Sequence, residues 1–208
     1  MTSIAVLITT YGDKSWRDLA WSRAYPSVVD QGASEIIVRH YDDLPIGPAR
    51  NATAAEATAD FLIHCDADDE LAPGYVGAME QAIRDAQDPS LILGYPTVRY
   101  MRKNRAQPDL LRPVSDLRHD NFMVIGTVIS NSLFRSVGGF SNYDHGYEDW
   151  SLWAKAWKAG GVVTPVPLAV YVAYINPQSA HRVRWRNRRE QVAGHMRVQA
   201  ELFPEGVN

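Results

Sequence analysis

Short apolar runs alternate with longer amphipathic stretches through the first hundred residues. Ile4-Ala5-Val6-Leu7-Ile8 is apolar without a break, as a strand covered on both faces requires. Ile36-Ile37-Val38, Phe61 to Cys65 and Leu91-Ile92-Leu93 repeat that pattern. Between them the polarity takes a helical period over roughly 15–31, 47–59 and 73–86. Pro73 suits a first helical turn, where its missing amide proton would have no partner. Strands alternating with helices of this length predict βαβ units and a largely parallel sheet flanked by helices.

The second half reads differently. Residues 99–118 are polar and hold Pro108 and Pro113, which predicts a loop or an excursion to one edge of the sheet. Val124 to Ser130 reads as a strand, Gly138-Gly139 as a turn and Ser151 to Ala159 as a helix. Val162-Val163 and Ala169 to Tyr174 read as strands, and 185–202 as a last amphipathic helix. No repeat, low-complexity tract or linker interrupts the 208 residues. The expectation is one α/β domain, 1–208, with two functional halves of about 1–100 and about 101–208.

Composition narrows the class. A chain this long buries roughly 70% of its unfolded surface and needs no disulfide or metal staple. With 46% hydrophobic and 22% charged residues it is globular rather than disordered. A net charge of −3 gives no whole-molecule reason to expect nucleic acid. The single cysteine, Cys65, excludes an internal disulfide and sits in an apolar run as a small hydrophobe. No apolar stretch nears the roughly 18 residues that span a bilayer. Met1-Thr2-Ser3 lacks the basic flank of a signal peptide, so a cytoplasmic enzyme is expected, with peripheral membrane association left open.

Open parallel sheets bind ligands beyond the carboxyl ends of their strands. Three segments should therefore converge on one crevice: Thr9-Thr10-Tyr11, His40-Tyr41-Asp42-Asp43 and Asp66-Ala67-Asp68-Asp69. Asp66, Asp68, Asp69 and Glu70 crowd carboxylates that repel unless something positive sits among them. Mg²⁺ or Mn²⁺ would resolve that conflict, taking one or two carboxylates plus water and substrate phosphates. The alternative is a solvated acidic turn that stabilises the helix near Pro73 through its dipole.

Three stretches carry a resemblance: Ala49-Arg50-Asn51, then Ala59-Asp60-Phe61-Leu62, then Asp66 through Tyr75. Together they resemble the core of the GT-A-fold inverting glycosyltransferases, the large family that includes cellulose, chitin and hyaluronan synthases. Phe134 to Phe140, followed by Tyr147-Glu148-Asp149-Trp150-Ser151-Leu152-Trp153, resembles the acceptor-side motif of the same family. The resemblance covers most of residues 4–175, with both motifs in the right order. It implies a nucleotide-diphosphate sugar donor, UDP favoured, an acceptor hydroxyl and a Mn²⁺ or Mg²⁺ cofactor. Asp66 and Asp68 match the metal motif around Ala67, with Asp68 the direct ligand. Thr9, Thr10 and Tyr11 match a nucleotide-contacting loop, and Arg50 an arginine that faces the nucleotide-sugar. Asp149 matches the catalytic base, and Glu148 a residue that orients hydroxyls. The base's task is coherent, since inversion needs a proton acceptor on the sugar face opposite the diphosphate. An Asp at a helix start is equally suited to be an N-cap.

The sequence also departs from that family. Thr9-Thr10 stands where a proline-containing turn is usual, and Arg39-His40-Tyr41 precedes Asp42-Asp43 where paired aspartates usually read uracil. Asn176 occupies the place of a late metal-binding histidine, which leaves His181 as a substitute ligand. Trp150, Trp153 and Trp157 share a helical face and read either as a core stripe or, for Trp150, as an acceptor-binding wall. Arg182, Arg184, Arg186, Arg188 and Arg189 form a basic run. That run suits a diphosphate clamp or, with Arg99, Arg102, Lys103 and Arg105, a dock for an anionic acceptor such as DNA, a lipid surface or a phosphorylated polymer. A solvated helix start explains it equally. Two rival functions remain in view. A sugar nucleotidyltransferase would need a Gly-rich phosphate loop, but the segment Thr9 to Lys14 has only Gly12. A non-catalytic sugar-nucleotide-binding scaffold would have little reason to retain both Asp68 and Asp149.

Overall fold

A computed structural model of the chain describes residues 2–103, 105–143, 146–175 and 188–204. The elements run β1 (Ile4–Tyr11), α1 (Ser15–Leu19), a π-helical turn (Ala20–Ala24), α2 (Tyr25–Val28), β2 (Glu35–Tyr41), α3 (Ile46–Ala55) and β3 (Phe61–Cys65). There follow β4 (Glu70–Leu71), α4 (Tyr75–Asp85), a 3-10 turn (Pro89–Leu91), β5 (Ile92–Arg102), β6 (Arg105–Ala106) and β7 (Val128–Ser130). Last come α5 (Asn131–Ser136), α6 (Glu148–Lys158), β8 (Val162–Tyr174) and α7 (Arg188–Leu202).

The sheet order is β2-β1-β3-β7-β5-β8-β4, with β6 on β5. β1 pairs in parallel with β2 and β3, as the βαβ pattern predicts. β5 and β8 form a second parallel pair. Between these blocks β7 lies antiparallel to both β3 and β5, and β4 is antiparallel to β8. The sheet is therefore mixed, not mostly parallel. The chain enters β7 from the long 107–127 stretch rather than from a crossover helix, and this reverses its direction.

Several boundaries differ from the hydrophobic pattern, each for a local reason. β1 runs on to Tyr11 because β2 stays in register through Thr9–Arg39, Thr10–His40 and Tyr11–Tyr41. Helix α4 starts at Tyr75, after Gly74 at φ +86°, so Pro73 lies outside its first turn. Residues 99–102 belong to β5, and Arg99 is paired with Asp109 at 2.6 Å. Val124 to Val128 is mostly not strand, and β8 is one long strand whose register shifts opposite Pro96–Thr97. Helix α6 begins at Glu148, so Asp149 lies in its first turn rather than ahead of it.

The core follows the apolar runs. β1 from Ile4 to Thr10 and all of β3 are buried, together with Cys65, Tyr75, Met79, Trp150 and Trp153. Helix α3 then fastens the segment that follows α5 to the sheet. Asn51 donates from Nδ2 to the Phe140 carbonyl at 2.9 Å and accepts from the Phe140 amide at 2.8 Å. A Cβ on Gly47 would meet the Ser141 carbonyl, and one on Gly139, at φ +62°, would meet Asn51 Oδ1. Both positions need glycine for this close approach. Among the described residues no helix is long and apolar enough to cross a membrane.

Candidate functional site

Arg50 sits on the inner face of α3, 5% exposed. Its helix is held against β1 by Thr53, which accepts a 2.9 Å hydrogen bond from Thr9 Oγ1. From that anchored position Arg50 reaches in two directions. Nη2 bonds Asp66 Oδ1 at 2.6 Å, and Nη1 bonds Glu148 Oε1 at 2.8 Å. The guanidinium also lies 5.3 Å from the Phe140 ring centroid. Burial pulls its pKa down, but Asp66 and Glu148 outweigh that and hold it above its ordinary value.

Asp66 and Asp68 lie on the turn after β3, both partly exposed. Two contacts support the turn from behind. Tyr171 Oη accepts from the Asp66 amide at 3.2 Å and donates to Asp69 Oδ2 at 2.9 Å. Arg23, carried on the π-helical turn, donates to the Asp68 carbonyl at 2.9 Å and lies 4.1 Å over the Tyr174 ring. Asp69 and Glu70 point away from this turn. Asp69 also accepts from the Tyr174 amide at 2.8 Å, and Glu70 accepts from Tyr174 Oη at 3.0 Å. Burial first, then Asp68 and Asp66, push the Asp69 carboxyl well above its usual range. The four-carboxylate cluster thus resolves into two outward groups and two structural ones.

Among the described residues no three His, Cys, Asp or Glu side chains gather to hold a metal ion by themselves. The residues present suit a cation of another kind. Arg50 bonds Asp66 through Oδ1, and a Mg²⁺-like ion needs only one or two carboxylates when phosphates and water complete its shell.

Asp149 follows Glu148 in the first turn of α6. Its Oδ1 accepts from the Trp150 amide at 2.8 Å and its Oδ2 from Asn121 Nδ2 at 3.0 Å. Burial first, and the neighbouring Glu148 second, raise its pKa to about 6, against the pull of the Trp150 amide, Arg50 and Asn121. A carboxylate with that value is a competent proton acceptor near neutral pH.

Among the described residues, the other expected site residues do not join this Arg50-centred network. Thr9 and Thr10 are 5% and 2% exposed and act as struts, Thr10 meeting His40 Nδ1 at 3.0 Å, while Tyr11 is partly exposed. Asp42 and Asp43 are exposed beyond β2, and Asp42 reaches back to His40 at 3.3 Å. Ala67 is buried beneath its turn. Trp150 is 0% exposed, donates Nε1–H to the Leu117 carbonyl at 2.7 Å and stacks on His195. It lies in the core, with its indole proton taken by a carbonyl, and offers no exposed surface as a wall for an acceptor. Trp153 joins it in the core, while Trp157 is 37% exposed. Asn176, His181, Arg182, Arg184 and Arg186 lie outside the described residues, and the Arg188 side chain is likewise not described. Arg102, Lys103 and Arg105 are exposed. Asn121, Tyr171 and Arg23 were not visible as site residues in the sequence, because no motif or periodicity marks them.

No family model matches the chain. It is 27% identical over 154 residues to an uncharacterized glycosyltransferase, YwdF, of Bacillus subtilis (strain 168), covering 63% of this chain and 56% of YwdF. The chain thus spans little more than half the length of that relative. Among solved structures it resembles S. aureus TarS, with a TM-score of 0.68 at 13% identity over 96% of this chain and 39% of TarS. The 1–349 portion of TarS in complex with UDP-GlcNAc gives a TM-score of 0.62 at 13% identity, covering 97% and 66%. GalNAc-T7 with UDP, GalNAc and Mn²⁺ gives 0.67 at 16% identity, covering 97% of this chain and 48% of that one. The chain therefore has the GT-A fold of these glycosyltransferase structures, and its sequence is similar to that of YwdF.

Proposed function

We propose that this chain carries the donor-binding and base-supplying parts of an inverting glycosyltransferase that moves a sugar from a nucleoside diphosphate, UDP favoured, to an acceptor hydroxyl. One observation carries the reading: Arg50 bonds Asp66 and Glu148 at once, which joins the acidic turn to the pair that ends in Asp149. Inversion needs diphosphate and proton acceptor on opposite sides of one sugar ring, and Arg50 ties the turn assigned here to the first to the helix that carries the second. UDP stands first because TarS and GalNAc-T7 were crystallised with it or with its sugar conjugate.

In this reading the diphosphate lies against Asp66 and Asp68. A divalent cation bound there would neutralise the charge that builds on the leaving group. The acceptor oxygen attacks the anomeric carbon from the far side as the bond to the diphosphate oxygen breaks. Its proton passes to Asp149, and Glu148 orients hydroxyls with Arg50 behind it.

The test is thermal stability with UDP, GDP, CDP and dTDP, each with and without Mn²⁺. Nucleotide at a hundred times its dissociation constant adds roughly 2.7 kcal/mol. A shift that needs UDP and Mn²⁺ together, and that Asp68→Ala removes, is the expected result. No shift with any pair would overturn the reading in favour of a degenerate scaffold.

A further inference from the structure

The stretch 107–127 carries almost no regular structure, yet it is tied to two successive residues of α6. Leu117 accepts the Trp150 indole proton, and Asn121 donates to Asp149. Asn121 is itself braced, since Arg112 Nη1 donates to its carbonyl at 3.0 Å and Arg112 also pairs with Asp120. The orientation of the Asn121 amide is dictated by its partner. An ionised carboxylate offers only acceptors, so the NH₂ must face Asp149 and Oδ1 must turn away. Turned away, Oδ1 is buried with no hydrogen-bond partner among the described residues.

An unmet buried acceptor costs about 1–3 kcal/mol. Packing alone gives no reason to carry that cost, because a leucine of similar shape would fill the space without it. Such groups call for an explanation other than stability. We infer that Asn121 is a positioning residue that fixes the Asp149 carboxylate and keeps it ionised, ready to take the acceptor's proton. The inference rests on Asp149 being the base. The other groups that face Asp149 are Glu148 on its own helix, Tyr147 just before it and Arg50 on α3. Arg112 and Asp120, beside Asn121, are engaged with each other.

The test is a ¹³C NMR titration of the aspartate carboxyls in the full chain, with Asp149→Asn to assign the signal. In the wild type the Asp149 midpoint is expected near 6. In Asn121→Leu and in Asn121→Ala it should rise by about one pH unit, the worth of a hydrogen bond to a charged group. The smaller variant keeps the test open if leucine disturbs folding. The acid limb of UDP release from UDP-GlcNAc with Mn²⁺ should move with it, while KM for UDP-GlcNAc stays put. An unchanged midpoint in the folded variants would overturn the inference and leave Asn121 as packing. Wild-type UDP release by Asp149→Asn would instead overturn the base assignment, a separate result.

Discussion

Arg50 and Glu148 stand 98 positions apart in the chain and 2.8 Å apart in the fold. With Asp66 on the other arm of the same guanidinium, the contact puts one buried cation between two carboxylates from different halves of the protein. Removing one partner of a buried pair costs more than the pair contributes, because the charges left behind stay desolvated. Arg50→Ala should therefore lose about 3 kcal/mol in urea unfolding, at the low end of the usual range because the Asp66 side chain is 36% exposed. For a domain of this size that loss lowers Tm by roughly 10 °C. A variant within about 0.5 kcal/mol of the wild type would show that the cation is solvated rather than built in.

The raised pKa of Asp149 has a consequence for stability as well as chemistry. Its folded value, about 6, lies above the ordinary 3.8. The folded state therefore binds the proton more tightly than the unfolded chain. The associated stability is full below pH 4 and is lost as pH rises through 6. Asp149→Asn removes the charge that the site resists, so at pH 8 it should be more stable than the wild type by about 2–3 kcal/mol, the worth of a shift from 3.8 to about 6. The gain should vanish by pH 4. The same variant should release UDP from UDP-GlcNAc at least about a hundredfold more slowly. Greater stability with lost turnover is the pattern of a strained catalytic group. Equal stability at both pH values would contradict it.

Gly138 and Gly139 both have positive φ but differ in surroundings. A Cβ at Gly138 meets open space, whereas one at Gly139 meets Asn51 Oδ1. Gly138→Ala should cost only the backbone term of about 1 kcal/mol. Gly139→Ala should cost about 3 kcal/mol, because it also breaks the Asn51 clamp on Phe140. Denaturant melts of the two variants side by side separate these terms. Equal losses would mean that the clamp contributes nothing.

What the sequence made legible follows from range. β1, β2 and β3 announce themselves through unbroken apolar runs, and their parallel pairing follows from the helices between them. The antiparallel β7 does not, because its three residues are specified by partners on β3 and β5 rather than by local pattern. The acidic turn was legible as chemistry, but not the division of labour within it. Only the Tyr171 and Tyr174 contacts, from more than a hundred residues away, mark Asp69 as structural. Trp150 misleads for the same reason: beside Asp149 in sequence, it is turned inward by a carbonyl at Leu117. Gly139 was readable as a turn, yet the further demand for glycine there, beyond its positive φ, comes from Asn51 on α3.

Tyr171 offers the sharpest separation of fold from site. Its hydroxyl takes the Asp66 amide and gives its proton to Asp69, so one oxygen fixes the start and the end of the acidic turn. Tyr171→Phe preserves the ring and deletes both bonds. It leaves the Asp66 amide and one Asp69 oxygen without that partner, which should cost about 1–3 kcal/mol. The Asp66 and Asp68 carboxylates are untouched chemically, but their turn loses its brace. A cation held by so few protein ligands depends on their placement, so Mn²⁺-dependent stabilisation by UDP should weaken by roughly tenfold in affinity. Any stabilisation by UDP alone should hardly change. Asp69→Asn supplies the control, since its amide can still bond Tyr171 while the carboxylate charge is gone. If Tyr171→Phe loses stability but binds Mn²⁺ and UDP as the wild type does, the tyrosine serves the fold alone, and the turn holds its shape through Arg23 on the Asp68 carbonyl.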